Sequence, residues 1–169
     1  MKSEWQENEV RDMAEISLKN VGPYRLAYIE HTGEYGKIPF NDYFGRLYGW
    51  VQQRGLRPVG DSLAMYHDDP KKVPLDKCRS EIGVPFAGDA RPEGGIKIKD
   101  VPGLQVATVH HAGPGSEFRS TYDALNQWIA ANGLECAGPS IEVYHRATET
   151  VGDKVMIHAE IQVPVRKKK

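Results

Sequence analysis

Cysteine is scarce in this 169-residue sequence, which contains only Cys78 and Cys136. The two residues form no Cys-x-x-Cys motif, so neither a disulfide framework nor a cysteine-based metal site is predicted. Long apolar runs are missing too, since no stretch approaches the roughly 18 apolar residues of a membrane span. The N-terminal segment is polar and acidic and lacks the apolar centre of a secretory signal. We therefore expect a cytoplasmic protein with reduced thiols and no membrane partner.

An excess of charge of one sign is also missing. Lysine and arginine number 22, aspartate and glutamate number 23, and the net charge is −1. Proteins that bind nucleic acids usually carry a positive excess or a basic stripe, so we expect no direct DNA binding. The run at 166–169 is basic, but a charged chain end is usually a solvated tail.

What the sequence does contain is an internal repeat. His31-Thr32-Gly33 recurs as His111-Ala112-Gly113, at an offset of 111 − 31 = 80. Other matched pairs, at offsets of 78 or 79, are Trp50 with Trp128, Gly55 with Gly133, Tyr66 with Tyr144, and Glu81 with Glu160. An offset that drifts so little indicates a duplication, with repeat one at about 21–86 and repeat two at about 101–165.

Each repeat predicts the same order of elements. A strand at 24–31 or 104–111 comes first. An amphipathic helix follows, with apolar residues at steps of three and four from Phe40 or from Phe118. Pro39 suits the first helical position, and Ser116 suits a helix cap. Two more strands follow in each repeat, at 62–68 and 78–86 and at 140–146 and 155–165.

These elements predict an α+β fold of duplicated β-α-β-β units with pseudo-two-fold symmetry. Antiparallel sheets carry a helix on each half, and a central cleft for a ligand is expected. The glycine- and proline-rich segment 87–95 is interpreted as the loop that joins the repeats.

Strand alternation predicts which side chains avoid the core. In the last strand, His158, Glu160 and Gln162 point away from the apolar set, and Glu81 does so in repeat one. Glu142 and Tyr144 share a face, and Tyr66 is the counterpart of Tyr144. We therefore expect carboxylates and aromatic rings from both repeats to meet on one sheet face, although polar residues of this kind are often merely solvated.

A carboxylate beside aromatic rings suits a cationic or polarised organic ligand. The same group, with a pKa raised by burial, could act as a general acid or base. Trp50 and Trp128 have two alternative roles, packing in the core or forming a wall of the cleft. Adjacent His110 and His111 face opposite ways, and no third ligand has useful spacing, so neither a metal site nor a cofactor is expected.

Several segments together resemble the GyrI-like domain, also known as the AraC-type effector-binding domain. They are RLAYIEHTGEY (25–35), FGRLYGWVQQRGL (44–56), DDP (68–70), CRSEIGV (78–84) and AEIQVPV (159–165). The resemblance covers about residues 13–166, which would form one domain between a flexible tail at 1–12 and the basic tail. It implies a cleft that binds bulky, often aromatic or cationic molecules. By position, it implies that Glu142 and Glu160 are acidic cleft residues, that Tyr66 and Tyr144 are aromatic ones, and that Trp50 and Trp128 are walls.

Gln162 departs from the family pattern, which has an aromatic residue there, so one stacking wall is in doubt. Three functions are compatible with the resemblance. The first is a stand-alone protein that senses or sequesters a small molecule. The second is a hydrolase of reactive cyclopropane-bearing molecules that uses Glu160 or Glu142, and the third is a modulator of DNA gyrase. A fused DNA-reading module is not expected, because only about twelve residues precede the first strand region.

Overall fold

The computed structural model describes residues 15–145 and 148–169. The predicted tail at 1–12 and the end of the predicted strand 140–146 lie outside these ranges. The strands are β1 (Ser17–Val21), β2 (Tyr24–Thr32), β3 (Arg57–Pro58), β4 (Leu63–Tyr66), β5 (Arg79–Ala87), β6 (Lys97–Val101), β7 (Leu104–Pro114), β8 (Leu134–Cys136), β9 (Ser140–Tyr144), β10 (Glu149–Val151) and β11 (Lys154–Lys167). The helices are α1 (Phe40–Gln53) and α2 (Phe118–Ala131), and short 3-10 turns lie at Tyr35–Lys37, Leu75–Lys77 and Gly115–Glu117.

The chain divides into two compact units. The first, called here the continuous unit, is Gly22–Gly103. The second, the split unit, combines the described residues up to Val21 with those of Leu104–Lys169. Each unit contains one of the two helices and its own antiparallel strands, so the predicted α+β class is confirmed.

In the continuous unit the strand order is β4-β5-β2-β6, and β3 also pairs with β5. The helix α1 packs on β5 and buries Leu47 and Val51 of its predicted apolar stripe, together with Trp50. Trp50 meets Phe86 of β5 edge to face, with ring centroids 5.8 Å apart. Helical periodicity and strand alternation therefore specify the same core here.

In the split unit the order is β1-β7-β11-β9, and β8 and β10 also pair with β11. The helix α2 packs on β7 and β8. Its core cluster consists of Ala107, Val109, Leu125, Ile129, Ile161, Val163 and Val165. The odd-numbered residues of β11 thus face the helix, as the alternation predicts.

Besides the short strands β3, β8 and β10, the strands β1 and β6 were not predicted. Most of their side chains are exposed or half-buried, and both contain lysine, so they lack the apolar alternation of a central strand. They match each other in the repeat, since Lys19 and Lys99 are separated by 99 − 19 = 80. The strand β1 nevertheless pairs with β7, and β6 pairs with β2. The strand that precedes each repeat therefore pairs with the first strand of the other repeat.

Each helix is followed by a glycine at its C-terminal end, and both helices differ from the prediction at their N-terminal ends. Gly55 and Gly133 follow the helices with φ of +66° and +69°, the left-handed conformation that glycine adopts without strain. The prediction that Ser116 caps α2 is wrong, because Ser116 lies inside a 3-10 turn and Glu117 occupies the cap position. Pro39 precedes α1 instead of occupying its first helical position. Among the described residues, neither helix has the length and apolarity needed to cross a membrane.

Candidate functional site

Glu160 lies at the centre of a polar cluster in the split unit. Its side chain is only 5% exposed. The ammonium Nζ of Lys19 lies 3.3 Å and 3.2 Å from the two carboxylate oxygens. Thr108 Oγ1 and Gln162 Nε2 donate hydrogen bonds to Oε2 over 3.1 Å and 2.6 Å. Gln162, one of the predicted ligand-binding residues, thus orients this carboxylate.

These contacts decide the ionisation of Glu160. Burial alone would raise the pKa of its carboxyl group, but the hydrogen bond from Gln162 and the charge of Lys19 outweigh burial and hold the pKa below its usual range. The expectation that burial raises this pKa, which general acid catalysis would need, is therefore wrong for Glu160. The group is a carboxylate at neutral pH.

Two histidines approach the same carboxylate. His110 stands opposite Glu160 in the register of β7 and β11, and its Nε2 is 3.9 Å from Oε1. His145 follows β9 directly, and its Nε2 is 3.6 Å from Oε1. The ring of His158 lies 6.1 Å from that of His145. A cavity of about 390 Å³ opens beside this cluster, lined by Glu15, Ile16, Ser17, Lys19, Thr108, His110 and Glu160.

Glu142 forms a second acidic centre in the split unit, on the opposite face of the sheet. It stands opposite Ile161 in the register of β9 and β11, and therefore on the side covered by α2. Its side chain is buried and accepts hydrogen bonds from the Tyr122 hydroxyl of α2, over 2.7 Å, and from the Tyr144 hydroxyl, over 2.9 Å.

The continuous unit repeats this separation of faces. Glu81 accepts a contact from Lys99 Nζ at 2.6 Å and lies 2.5 Å from His67 Nε2. Burial would raise the pKa of Glu81, but the hydrogen bonds from His67 and Lys99 hold it below its usual range. Tyr66 stands opposite Ser80, on the other face from Glu81, and its ring lies 4.8 Å from the Tyr35 ring.

Comparison with known proteins identifies the family. The model of the GyrI-like small molecule binding domain matches residues 14–166. The chain belongs to this family. Its predicted resemblance to the GyrI-like domain is thereby confirmed.

Several relatives and solved structures are similar to this GyrI-like chain. DNA gyrase inhibitor 2 of Dickeya dadantii (strain 3937) is 31% identical over 123 residues, which cover 71% of this chain and 70% of that protein. EcmrR in its DNA complex has a TM-score of 0.75 at 22% identity, covering 90% of this chain but only 57% of that one. The C-terminal domain of EcmrR has a TM-score of 0.70 and is covered to 98%. SAV2435 bound to tetraphenylphosphonium has a TM-score of 0.58 at 15% identity, with 90% and 94% covered. These structural likenesses show the shared GyrI-like fold.

The expectation that the acidic and aromatic residues of this GyrI-like protein share one sheet face is wrong. Glu160 and Gln162 lie on the face turned away from α2, whereas Glu142 and Tyr144 lie on the face that α2 covers. The register of β9 against β11 causes this, because it sets Glu142 opposite Ile161 and not opposite Glu160. Alternation fixes faces within one strand, and only the register relates one strand to the next.

Trp50 and Trp128 lie against apolar cores. Trp50 is buried against Phe86, and Trp128 packs against the core cluster of the split unit. This is the packing alternative for each ring, while their role as walls of a ligand site stays a prediction. Trp50 is included in the buried core of its own unit.

Sequence reasoning missed several residues that the structure places around the carboxylates. Lys19 and Lys99 lie on β1 and β6, which were not predicted, and Tyr122 falls on the predicted apolar stripe of its helix. The recurrence of lysine at an offset of 80 could have indicated Lys19 and Lys99. His110 and His145 are far apart in the sequence, and their approach to Glu160 depends on strand pairing that the sequence does not display.

Proposed function

We propose that this protein binds a lipophilic aromatic cation at Glu142 and so senses or sequesters such compounds. One observation carries the proposal: a buried carboxylate is held between two tyrosine hydroxyls, at 2.7 Å and 2.9 Å. Membership of a small-molecule binding family supports ligand binding in general. The central cleft between the repeats stays a prediction.

The chemistry of Glu142 fits a cation better than an anion. The hydrogen bonds from Tyr122 and Tyr144 hold the carboxylate in a fixed orientation. Tyr122 and Tyr144 are half-buried, so their rings offer π faces close to a negative group. Aromatic faces and a desolvated carboxylate both attract organic cations. Phe118 packs on the same core as Tyr122, and their ring centroids lie 6.4 Å apart.

Glu160 is less suited to that role. Lys19 already lies within 3.3 Å of both its oxygens. An organic cation would have to displace this ammonium group, and the charge pairing between Lys19 and Glu160 would be lost. We therefore assign the cation to the face covered by α2.

Tetraphenylphosphonium, which is the ligand of SAV2435 in its structure, is the probe for this proposal. Titration calorimetry should show saturable binding to the wild-type chain. Glu142→Gln keeps the shape and removes the charge, so affinity should fall roughly tenfold or more, since contacts with a charged group are worth about 1.5–3 kcal/mol.

The matched control is Glu160→Gln, which removes a carboxylate from the other face of the same sheet. It should change tetraphenylphosphonium affinity by less than about threefold, because distant groups make nearly independent contributions. Equal losses in both variants, or no loss in Glu142→Gln, would contradict the assignment to Glu142. Recovery of the probe unchanged, measured by mass spectrometry, would distinguish binding from turnover.

A second candidate function is inhibition of DNA gyrase, favoured by the 31% identity to DNA gyrase inhibitor 2. Supercoiling of relaxed plasmid by purified gyrase should then slow as this protein is added. An unchanged supercoiling rate at a large molar excess would remove this candidate. The result is independent of the tetraphenylphosphonium titration.

A further inference from the structure

We propose that His110, His145 and Glu160 form a binding site for a zinc-like divalent transition-metal ion. The three side chains each offer one ligand atom, and these atoms all lie within 4.8 Å of one another. His145 Nε2 lies 3.6 Å from Glu160 Oε1. The proposed ligand-binding residues Glu142, Tyr122 and Tyr144 are not part of this group.

The distances are close to those that one ion requires. Zinc lies about 2.0–2.2 Å from nitrogen and carboxylate ligands, so two ligands of a tetrahedral ion stand roughly 3.3 Å apart. The pairs that include Glu160 are 3.6 Å and 3.9 Å apart. Small side-chain rotations would close the remaining gap. The rings of His110 and His145 are 5.4 Å apart and inclined by 30°, so both can turn towards a common point.

The donor set indicates the kind of metal. Two imidazoles and one carboxylate suit zinc and its neighbours in the first transition series, whereas Ca²⁺ and Mg²⁺ prefer oxygen ligands alone. Three protein ligands leave a fourth position open, as in zinc sites that bind water or a small molecule. The adjacent cavity of about 390 Å³ is lined by His110 and Glu160 and provides space for such a fourth ligand.

The surroundings prepare the carboxylate for this role. Thr108 and Gln162 both donate to Oε2 of Glu160. The histidines approach the other oxygen, Oε1, which can therefore bind the ion while Oε2 keeps its hydrogen bonds. Partners of this kind orient metal ligands and raise metal affinity.

The ammonium group of Lys19 competes with the metal ion for Glu160. The proposal therefore predicts one variant with tighter metal binding as well as variants with weaker binding. The ammonium group occupies the position of a cation beside Glu160, yet the Lys19 side chain is 50% exposed and can turn into solvent. Metal binding should therefore displace Lys19. Replacing Lys19 with methionine should strengthen metal binding, whereas replacing either histidine should weaken it.

The test uses the full chain, freed of metals with a chelator and titrated with ZnCl₂ by calorimetry. One Zn²⁺ per chain is expected. His110→Ala and His145→Ala should each lower the affinity roughly tenfold or more, and Lys19→Met should raise it several-fold, effects of the size that changes around metal ligands produce. Co²⁺ in place of Zn²⁺ should give a visible absorption band that both histidine variants weaken.

The matched control is His67→Ala, because His67 occupies the same repeat position as His145 and both side chains are 30% exposed. It should leave zinc affinity unchanged. His145→Gln and thermal unfolding of every variant separate a lost ligand from a damaged fold. No stoichiometric Zn²⁺ binding by the wild type, or equal losses in His67→Ala and His145→Ala, would overturn the proposal. Tetraphenylphosphonium binding should be unaffected by His145→Ala, so the two proposals fail independently.

Discussion

The acidic clusters around Glu81 and Glu160 are repeat-related, yet their partners hold them differently. Glu81 is held at 2.6 Å by Lys99 and at 2.5 Å by His67. The corresponding distances at Glu160 are 3.2 Å to the lysine and 3.6 Å to the histidine. The continuous unit thus has a closed ion-pair network, and the split unit has a looser one beside a cavity.

One register position accounts for a further chemical difference. Glu30 stands opposite Glu81, and His110 stands opposite Glu160. Glu30 pairs with Lys97 at 3.1 Å, whereas His110 turns its Nε2 towards Glu160. A duplicated scaffold can therefore keep a carboxylate, a lysine and a histidine in both copies and still differ in chemistry through one residue.

The largest expected effect tests whether the two units have equivalent cores. Leu47 of α1 and Leu125 of α2 are repeat partners, and both are fully buried. Truncation of either to alanine should lower the free energy of unfolding by about 2–5 kcal/mol, measured by urea denaturation. Leu75→Ala, at an exposed position, should cost far less. A loss below about 1 kcal/mol at one leucine would show that its helix does not cover the core as described.

A smaller effect tests whether the closed network at Glu81 is the stronger of the two. Glu81→Gln should destabilise the protein by about 1–3 kcal/mol at pH 7, the cost of losing a hydrogen-bonded charge. Glu160→Gln should cost less, because Lys19 is more exposed than Lys99 and lies farther from its carboxylate. Urea denaturation of both variants gives the order, and the reverse order would contradict this comparison.

The pH dependence of stability follows from the lowered pKa of Glu81. An acid with a lower pKa in the folded state stabilises the fold above its unfolded pKa, about 4.3, and loses that contribution as the pH falls towards the folded value. Wild-type stability should therefore fall more steeply below about pH 4.3 than that of Glu81→Gln. Parallel stability curves for the two proteins would show that Glu81 does not contribute to acid unfolding.

The variant with the smallest expected effect on stability is designed to make the two clusters alike. Glu30 is exposed, so Glu30→His should change the free energy of unfolding by no more than about 0.5 kcal/mol. It should nevertheless complete a set of two histidines and a glutamate in the continuous unit and add a second equivalent of Zn²⁺. Stoichiometry that stays at one would show that the tighter contacts of Glu81 with Lys99 and His67 prevent metal binding.

Sequence reasoning predicted the helices and central strands because their burial pattern is periodic. The apolar stripes that begin at Phe40 and Phe118 coincide with the first residues of α1 and α2, although Pro39 and Ser116 do not have their predicted places. The edge strands β1 and β6 escaped because exposed edges carry polar side chains without apolar alternation. Secondary structure was therefore predictable where burial was large and unpredictable where it was small.

The candidate sites were less predictable because they depend on contacts between distant strands. Alternation placed Glu160 correctly away from the core face of β11. It could not show that Glu142 lies on the other face, since strand register is not visible in one strand's sequence. The approach of His110 and His145 to Glu160 has the same origin, as each comes from a different segment.

The pairing of β1 with β7, a strand of the other repeat, has a consequence for synthesis on the ribosome. The partner β7 begins at Leu104, which lies 104 − 21 = 83 positions after the end of β1 at Val21. At about 5–20 residues per second, translation takes ~4–17 s to produce this partner. The whole continuous unit is synthesised during that interval and can begin to fold first. Until β7 has been synthesised, β1 stays unpaired in the nascent chain, and this is the period in which a chaperone would protect it most.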